Sequence, residues 1–290
     1  MKRGNCAGLA IQYQATLFCL SLMCSVLRLT PAVAQPQFFS NAKNPVKLGS
    51  LVEFDLAVKD VQVTQAFYES LGFKAVAAAK ADHPVAAVTD GNVVLALHQA
   101  EFASPTITYY GANLAAGMSL LQETGVAATI LKKKNGAATE IEFSDRNGQR
   151  VVLKSEAPVP RPGVGFEMMT PAGPTGKEKH YSRIGIFGEF SIAVMERATA
   201  AAFWQKLGFQ KMHESDIPYP WGIYSDGVTV LGIHQTTEFK ETALSFFSRD
   251  SKDRIVKLKE EGFRFVLEMD PTNAVMQSPD GQMIFVFNLP

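Results

Sequence analysis

Cysteine is nearly absent from this chain. Among 290 residues there are three, Cys6, Cys19 and Cys24, and all lie within the first 34 positions. Beyond them there is no thiol nucleophile, no disulfide and no cysteine-held metal. An excess of one charge is also missing, since lysine plus arginine and aspartate plus glutamate number 28 each. The one basic run is Lys132-Lys133-Lys134, so a nucleic-acid partner is not expected. No glycine-rich phosphate loop, no serine nucleophile elbow and no paired-carboxylate motif is present, which removes the common signatures of nucleotide and acyl-transfer chemistry.

Long apolar runs are also lacking, apart from one near the start. Lys2 and Arg3 give a basic beginning, Thr16 to Leu27 is apolar, and Ala32-Val33-Ala34 precedes Gln35 as a small-x-small cleavage signal. The run falls short of the roughly 20 residues a membrane span needs. A cleaved signal peptide is therefore expected over 1–34, with no membrane span and a secreted or periplasmic product. Cys24 follows the large Met23, where lipid attachment wants a small residue. Cleavage removes Lys2, Arg3 and Arg28 and no acid, which leaves 25 basic against 28 acidic side chains, a net charge of −3. A cysteine-free domain avoids mispairing in an oxidising compartment.

What the chain does have is a repeat. Residues 51–99 align without a gap on residues 187–235, and 16 of the 49 positions are identical. A repeat of this length means duplicated domains rather than a solenoid of short units. The expected order is signal peptide 1–34, N-terminal arm 35–50, a domain over 51–155, a linker over 156–183 and a second domain over 184–290. The linker is rich in proline and glycine; Met168 and Met169 within it are candidates to pack on a neighbouring domain.

Each copy reads strand, helix, several strands, then the same again. Residues 53–58 alternate polar and apolar, as a half-buried strand does. Asp60 can cap a helix whose inner face carries Val63, Phe67 and Leu71, and Gly72 can end it. Strands at 84–89 and 92–98 flank the tight turn Asp90-Gly91. Strand 106–110 follows, then a helix capped by Asn113 with Leu114, Met118 and Leu121 on one face and Gly125 at its end. Strands 139–144 and 149–154 flank Asn147-Gly148. Copy two repeats this with strand 189–194, helix 197–207, strand 243–247, helix 251–261 and the turn Pro279-Asp280-Gly281.

Three ordered motifs recur: Ala57-Val58-Lys59-Asp60 with Ala193-Val194-Met195-Glu196, Phe67-Tyr68-x-x-Leu71-Gly72-Phe73 with Phe203-Trp204-x-x-Leu207-Gly208-Phe209, and Pro279-Asp280-Gly281-Gln282 with the looser Arg146-Asn147-Gly148-Gln149. Together they resemble the vicinal oxygen chelate superfamily, which includes glyoxalases, extradiol dioxygenases and bleomycin-resistance proteins, over about 51–155 and 184–288. The resemblance implies an α+β fold of tandem glyoxalase-like domains, each a pair of βαβββ modules with curved mixed sheets around a cleft. Two copies in one chain already supply the pseudo-dimer such modules need, which implies a monomer or a weak homodimer.

Metal-using members of that superfamily place ligands on the first, fourth, fifth and last strands of a domain. Carried onto this chain, those positions are Glu53 and Glu189, Ala96 and Gly232, Thr106 and Ala243, and Val152 and Phe285. One carboxylate is too few where about three protein ligands are usual, so no cofactor and no metal ligand set is expected. His98 and His234 lie two residues beyond the fourth-strand position, on the same strand face. The resembling topology implies that Glu53 approaches His98 and that Glu189 approaches His234. Three readings stay open for these candidate catalytic residues: a Glu–His pair that fixes the sheet or a strand-end histidine in solvent, a carboxylate-tuned general base, or metal ligands if the strand register slips.

Aromatic residues suggest a ligand cleft in copy two. Copy two carries Tyr219, Trp221, Tyr224, Phe246 and Phe247; copy one has fewer large rings, since Val85 and Val88 stand for Trp221 and Tyr224, while Tyr109-Tyr110 match Phe246-Phe247. Alternation sends one ring of each adjacent pair to each sheet face. His83 sits at the position of Tyr219, while His180, Tyr181 and His213 have no nameable partner. The expected ligand-binding set is Glu189, Tyr219, Trp221, Tyr224, His234 and Phe246. The leading expectation is an exported small-molecule binder for an aromatic or hydrophobic compound, similar to bleomycin-resistance-type members. The alternative is a metal-dependent lyase, isomerase or dioxygenase of the glyoxalase superfamily, which would bring a divalent metal. A third reading is a purely structural module.

Overall fold

A computed structural model describes residues 48–166 and 182–289. The leader, the arm as far as Lys47, Met168, Met169, His180 and Tyr181 lie outside the described residues. The first half runs β1 (Leu51–Ala57), α1 (Val61–Ser70), β2 (Lys74–Val76), β3 (Val85–Thr89), β4 (Val94–His98), β5 (Thr106–Tyr110), α2 (Leu114–Thr124), β6 (Thr129–Lys134), β7 (Ala137–Ser144) and β8 (Arg150–Lys154). The second runs β9 (Ile186–Val194), α3 (Arg197–Lys206), β10 (Gln210–Ser215), β11 (Trp221–Ser225), β12 (Val230–Gln235), β13 (Ala243–Ser248), α4 (Ser251–Glu260), β14 (Phe265–Asp270), β15 (Asn273–Gln277) and β16 (Met283–Asn288).

Each half is one mixed sheet of eight strands, ordered β2-β3-β4-β1-β5-β8-β7-β6 and β10-β11-β12-β9-β13-β16-β15-β14. β1 lies parallel to β4 and antiparallel to β5, and β9 lies the same way between β12 and β13. The antiparallel β1–β5 and β9–β13 pairs join two βαβββ modules in each half. The α+β architecture that the resemblance implied is the one observed.

Local chemistry explains the element ends. Asp60 Oδ1 accepts from the Gln62 and Val63 amides at 2.8 and 3.1 Å, and Asn113 caps α2 through the Ala116 amide at 3.1 Å. Gly125 ends α2 at φ +73°, a left-handed position where a side chain would be strained. The glutamine of each turn motif is structural. Gln149 Nε2 donates to the Pro105 and Arg150 carbonyls, and Gln282 Nε2 to those of Thr242 and Met283. Each glutamine thereby ties the start of the last strand to the chain entering the fifth.

The helix faces differ from expectation. Val63 is 53 % exposed and Met118 is on the surface, while α1 buries Val61, Thr64 and Tyr68 and α2 buries Leu114, Gly117 and Leu121. The cause lies in the other half. The Thr64 hydroxyl donates to Asp280, which also accepts from the Lys59 amide at 2.8 Å, so α1 turns its threonine inward.

The two sheets meet back to back. Phe54 and Leu56 alternate with Glu53 and Asp55 along β1, and Phe190 and Ile192 alternate with Glu189 and Ser191 along β9. The apolar sets meet: Phe54 stacks on Phe190 with centroids 4.7 Å apart and 14° between planes. Tyr109 Oη donates to Asp226 across the seam at 2.7 Å, and Trp204 Nε1 reaches Asp145 at 3.3 Å. The carboxylates therefore line the outer face of each sheet, away from the partner half. There the halves differ. Thr106, Glu142, Arg150 and Lys154 of the first sheet occupy the register positions of Ala243, Val275, Met283 and Phe287 in the second. Phe239, Ala243, Met269, Val275, Phe285 and Phe287 make a second apolar cluster on the outer face of the second sheet.

Candidate functional site

On β9 the outer face carries Glu189, Ser191 and Ala193. Gly232 of β12 lies opposite Ser191, and His234 lies opposite Ala193. Glu189 must therefore reach along the sheet to meet the imidazole, and it passes over Gly232. A Cβ at position 232 would overlap the Glu189 carboxylate, so glycine leaves the path open. Glu189 Oε1 lies 3.0 Å from His234 Nε2 and accepts from Ser191 Oγ at 2.7 Å. Ser191 Oγ is in turn 2.6 Å from Ser245 Oγ. The His234 and Glu189 side chains are only 3 % and 5 % exposed. A buried polar pair of this kind is held by hydrogen bonds that a low local dielectric strengthens.

Rings surround the pair. Trp221 stacks on His234 with centroids 6.3 Å apart and 12° between planes. Tyr219 and Phe239 present edges at 6.1 and 5.7 Å, and Tyr219 Oη lies 3.5 Å from His234 Nδ1. Phe239 leads on to Phe285, and Phe285 to Phe287; His213 packs on Trp221 with ring centroids 5.1 Å apart. Of the expected ligand set, Glu189, His234, Tyr219 and Trp221 come together. Tyr224 and Phe246 do not. Both are buried on the seam face: Tyr224 Oη donates to Glu214, and Phe246 packs edge-on against Phe73 and Phe187. Strand alternation separates Tyr224 from Trp221, and likewise turns Phe246 to the core while its neighbours Ser245 and Phe247 face outward.

The first sheet resolves the same positions differently. Glu53 does not approach His98. Its Oε1 accepts from Arg161 Nη1 at 2.6 Å, and Arg161 comes from the proline- and glycine-rich segment after β8. Burial pushes the Glu53 carboxyl above its ordinary pKa, with Arg161 opposing the shift. His98 Nε2 lies 3.7 Å from Asp55 Oδ1, and its Nδ1 is 2.9 Å from His83 Nε2. His83 Nδ1 is 2.9 Å from Asp82. Asp55 also accepts from Thr108 Oγ1 at 2.6 Å. The acidic partner of the histidine has thus moved two residues along the strand, from Glu53 to Asp55. Ser191 and Asp55 were open to prediction from alternation; Phe239, in the loop before β13, was not. Arg161 was not, because irregular chain has no period to read.

A metal does not fit the positions implied by the superfamily. Gly232, Ala243, Ala96, Val152 and Phe285 offer no donor atom, and the Glu189 carboxylate fills the space over Gly232. Among the described residues no three His, Asp, Glu or Cys side chains are grouped to hold an ion. None of the described helices is long and apolar enough to cross a membrane.

No family model matches the chain, and no curated protein matches its sequence. Solved structures do. Homoprotocatechuate 2,3-dioxygenase from Arthrobacter globiformis superposes with a TM-score of 0.55 at 13 % identity, over 83 % of this chain and 80 % of that one. A catechol 2,3-dioxygenase gives 0.54 at 13 % identity over 82 % and 87 %. The 2,2',3-trihydroxybiphenyl 1,2-dioxygenase from Sphingomonas wittichii strain RW1 gives 0.52 at 16 % identity over 84 % and 90 %. At this identity the likeness is one of fold alone, and the fold is that of these dioxygenases.

Proposed function

We propose that this chain is an exported binding protein for a small aromatic or hydrophobic molecule, held on the outer face of the second sheet. The supporting observation is the Glu189–His234 pair set among Tyr219, Trp221, Phe239 and Phe285. An apolar, ring-lined surface with a few convergent polar groups is the usual make-up of a small-molecule site. Phe239 and Tyr219 come from the loops before β13 and β11, so a ligand enters by displacing loop rings rather than by parting strands. The dioxygenases of like fold are named for catechol, homoprotocatechuate and trihydroxybiphenyl, all aromatic, which supports the ligand class. The basic start, apolar run and Ala-Val-Ala signal before Gln35 support export.

One observation favours a catalytic variant of this reading. Glu189 Oε1 accepts from His234 Nε2 at 3.0 Å, the arrangement that orients an imidazole as a general base. The test is calorimetric titration of phenols, catechols and unsubstituted aromatics into the chain and into His234→Ala. Binding that survives the substitution unchanged removes the site from the second sheet. Turnover of a bound compound, lost in Glu189→Gln while binding persists, selects the catalytic variant.

A further inference from the structure

The outer face of the first sheet is polar where that of the second is apolar, and the chain itself covers it. The segment after β8 is tied down at both ends: the Gly111 amide donates to the Glu156 carbonyl at 2.8 Å, and the Gly165 amide to the Gly91 carbonyl at 3.2 Å. Between them Arg161 drops its side chain onto the sheet. That side chain is 3 % exposed and its partner Glu53 is 1 % exposed. Arg161 Nε donates to the Ala77 carbonyl at 2.8 Å and Nη1 to Glu53 Oε1 at 2.6 Å.

The fit is incomplete. A guanidinium meets a carboxylate best through two parallel hydrogen bonds. Here Arg161 Nη2, Glu53 Oε2 and Asp55 Oδ1 are buried and have no hydrogen-bond partner. A second carboxylate, Asp55, stands two residues along the same strand face, with His98 Nε2 3.7 Å from its Oδ1. Desolvated groups of this kind are normally paired, so the face retains capacity for a planar cation that the strap geometry leaves unused.

We propose that the outer face of the first sheet is a guanidinium-binding site, with Arg161 as its resident internal ligand, and that small external guanidinium or amidinium compounds compete with Arg161 for Glu53. The site is particular to the first half. At the matching positions of the second sheet, Glu189 turns to His234, and Met283 and Phe287 replace Arg150 and Lys154. The resident ligand follows the last residue of β8 by seven positions. Such a short tether gives it an effective concentration on the order of millimolar or more, so the unmodified chain releases the site only to a competitor above that level. This site is independent of the Glu189–His234 region, and either can fail alone.

The experiment uses the full chain, its Arg161→Ala variant and the double variant Glu53→Gln, Arg161→Ala, with ethylguanidinium as probe and ethylurea and ethylammonium as controls. Ethylguanidinium is expected to bind Arg161→Ala one to one, at least tenfold tighter than it binds the unmodified chain, and to raise its melting temperature. Ethylurea, planar but uncharged, and ethylammonium, charged but not planar, are expected to do neither, and the double variant is expected to lose the effect. Equal responses to the three compounds, or binding retained without the Glu53 carboxylate, would overturn the proposal. If Arg161→Ala does not fold, hydrogen exchange over 156–166 in the unmodified chain decides: exchange that rises as ethylguanidinium is taken well above the effective concentration of the tether, but not with ethylurea at the same concentration, supports the proposal, and unchanged exchange at that concentration overturns it.

Discussion

His234 Nε2 and Glu189 Oε1 lie 3.0 Å apart on neighbouring strands, and the residue between them on that face, Gly232, has no side chain. The glycine at the superfamily's fourth-strand ligand position is therefore part of the pair. Gly232→Ala is expected to push the carboxylate off its path and leave two buried polar groups poorly paired. The expected cost is about 2 kcal/mol or more of stability, together with loss of ligand binding. Urea unfolding and a crystal structure of the variant check this; a variant as stable as the parent with the pair intact would contradict it.

Tyr109 and Asp226 tie the two halves together. Tyr109→Phe removes the donor and leaves a carboxylate oxygen buried in the seam. The expected destabilisation is about 1–3 kcal/mol, read from urea midpoints at neutral pH.

Burial pushes the Asp226 carboxyl up, although Tyr109, Val228 and Thr229 donate hydrogen bonds to it. The folded state thus holds the Asp226 proton more tightly than the unfolded state does. Its contribution to stability is complete below the unfolded value of about 3.9 and is lost as pH rises through the raised folded value. Asp226→Asn cannot titrate. It is expected to gain on the parent chain as pH rises across that window, while the other buried carboxyls act alike in both proteins. A stability gap that stays constant with pH contradicts the assignment.

Gln149 joins three pieces of chain through Pro105, Arg150 and Thr242, the last by accepting from Thr242 Oγ1 at 2.9 Å. Gln149→Leu keeps the volume and loses all three bonds, with an expected cost of about 2 kcal/mol. Ligand affinity at the second sheet is expected to change little, because Glu189 and His234 are not among its partners. Calorimetric melting and ligand titration on one preparation separate the two effects.

The architecture was readable because strand alternation, capping residues and turn glycines repeat at a fixed offset, and repeated local signals agree with one fold. Two strands of the first half were not readable. β2 is three residues with little burial, and β6 is Thr129–Lys134, exposed throughout on a sheet edge, so neither shows a period. The expected helix faces held at Leu71, Leu114 and Leu121 and were misjudged at Val63 and Met118; on α1 the other half selects the buried stripe, as Asp280 does with Thr64. The Glu189–His234 pair followed from strand parity together with the strand neighbours that the resemblance implied. Its counterpart failed because Arg161, far along the chain, captures Glu53. Tyr224 and Phe246 were grouped with the site by composition, yet a strand offers each face only alternate residues.

The most direct test of a ligand site on the second sheet is a ligand-observed NMR screen of small aromatic compounds against the chain, repeated on His234→Ala. The account predicts at least one compound that binds with one-to-one stoichiometry, shifts the signals of Trp221 and Phe239, and loses at least tenfold in affinity without His234. Binding that is absent across the screen, or indifferent to His234, would contradict it.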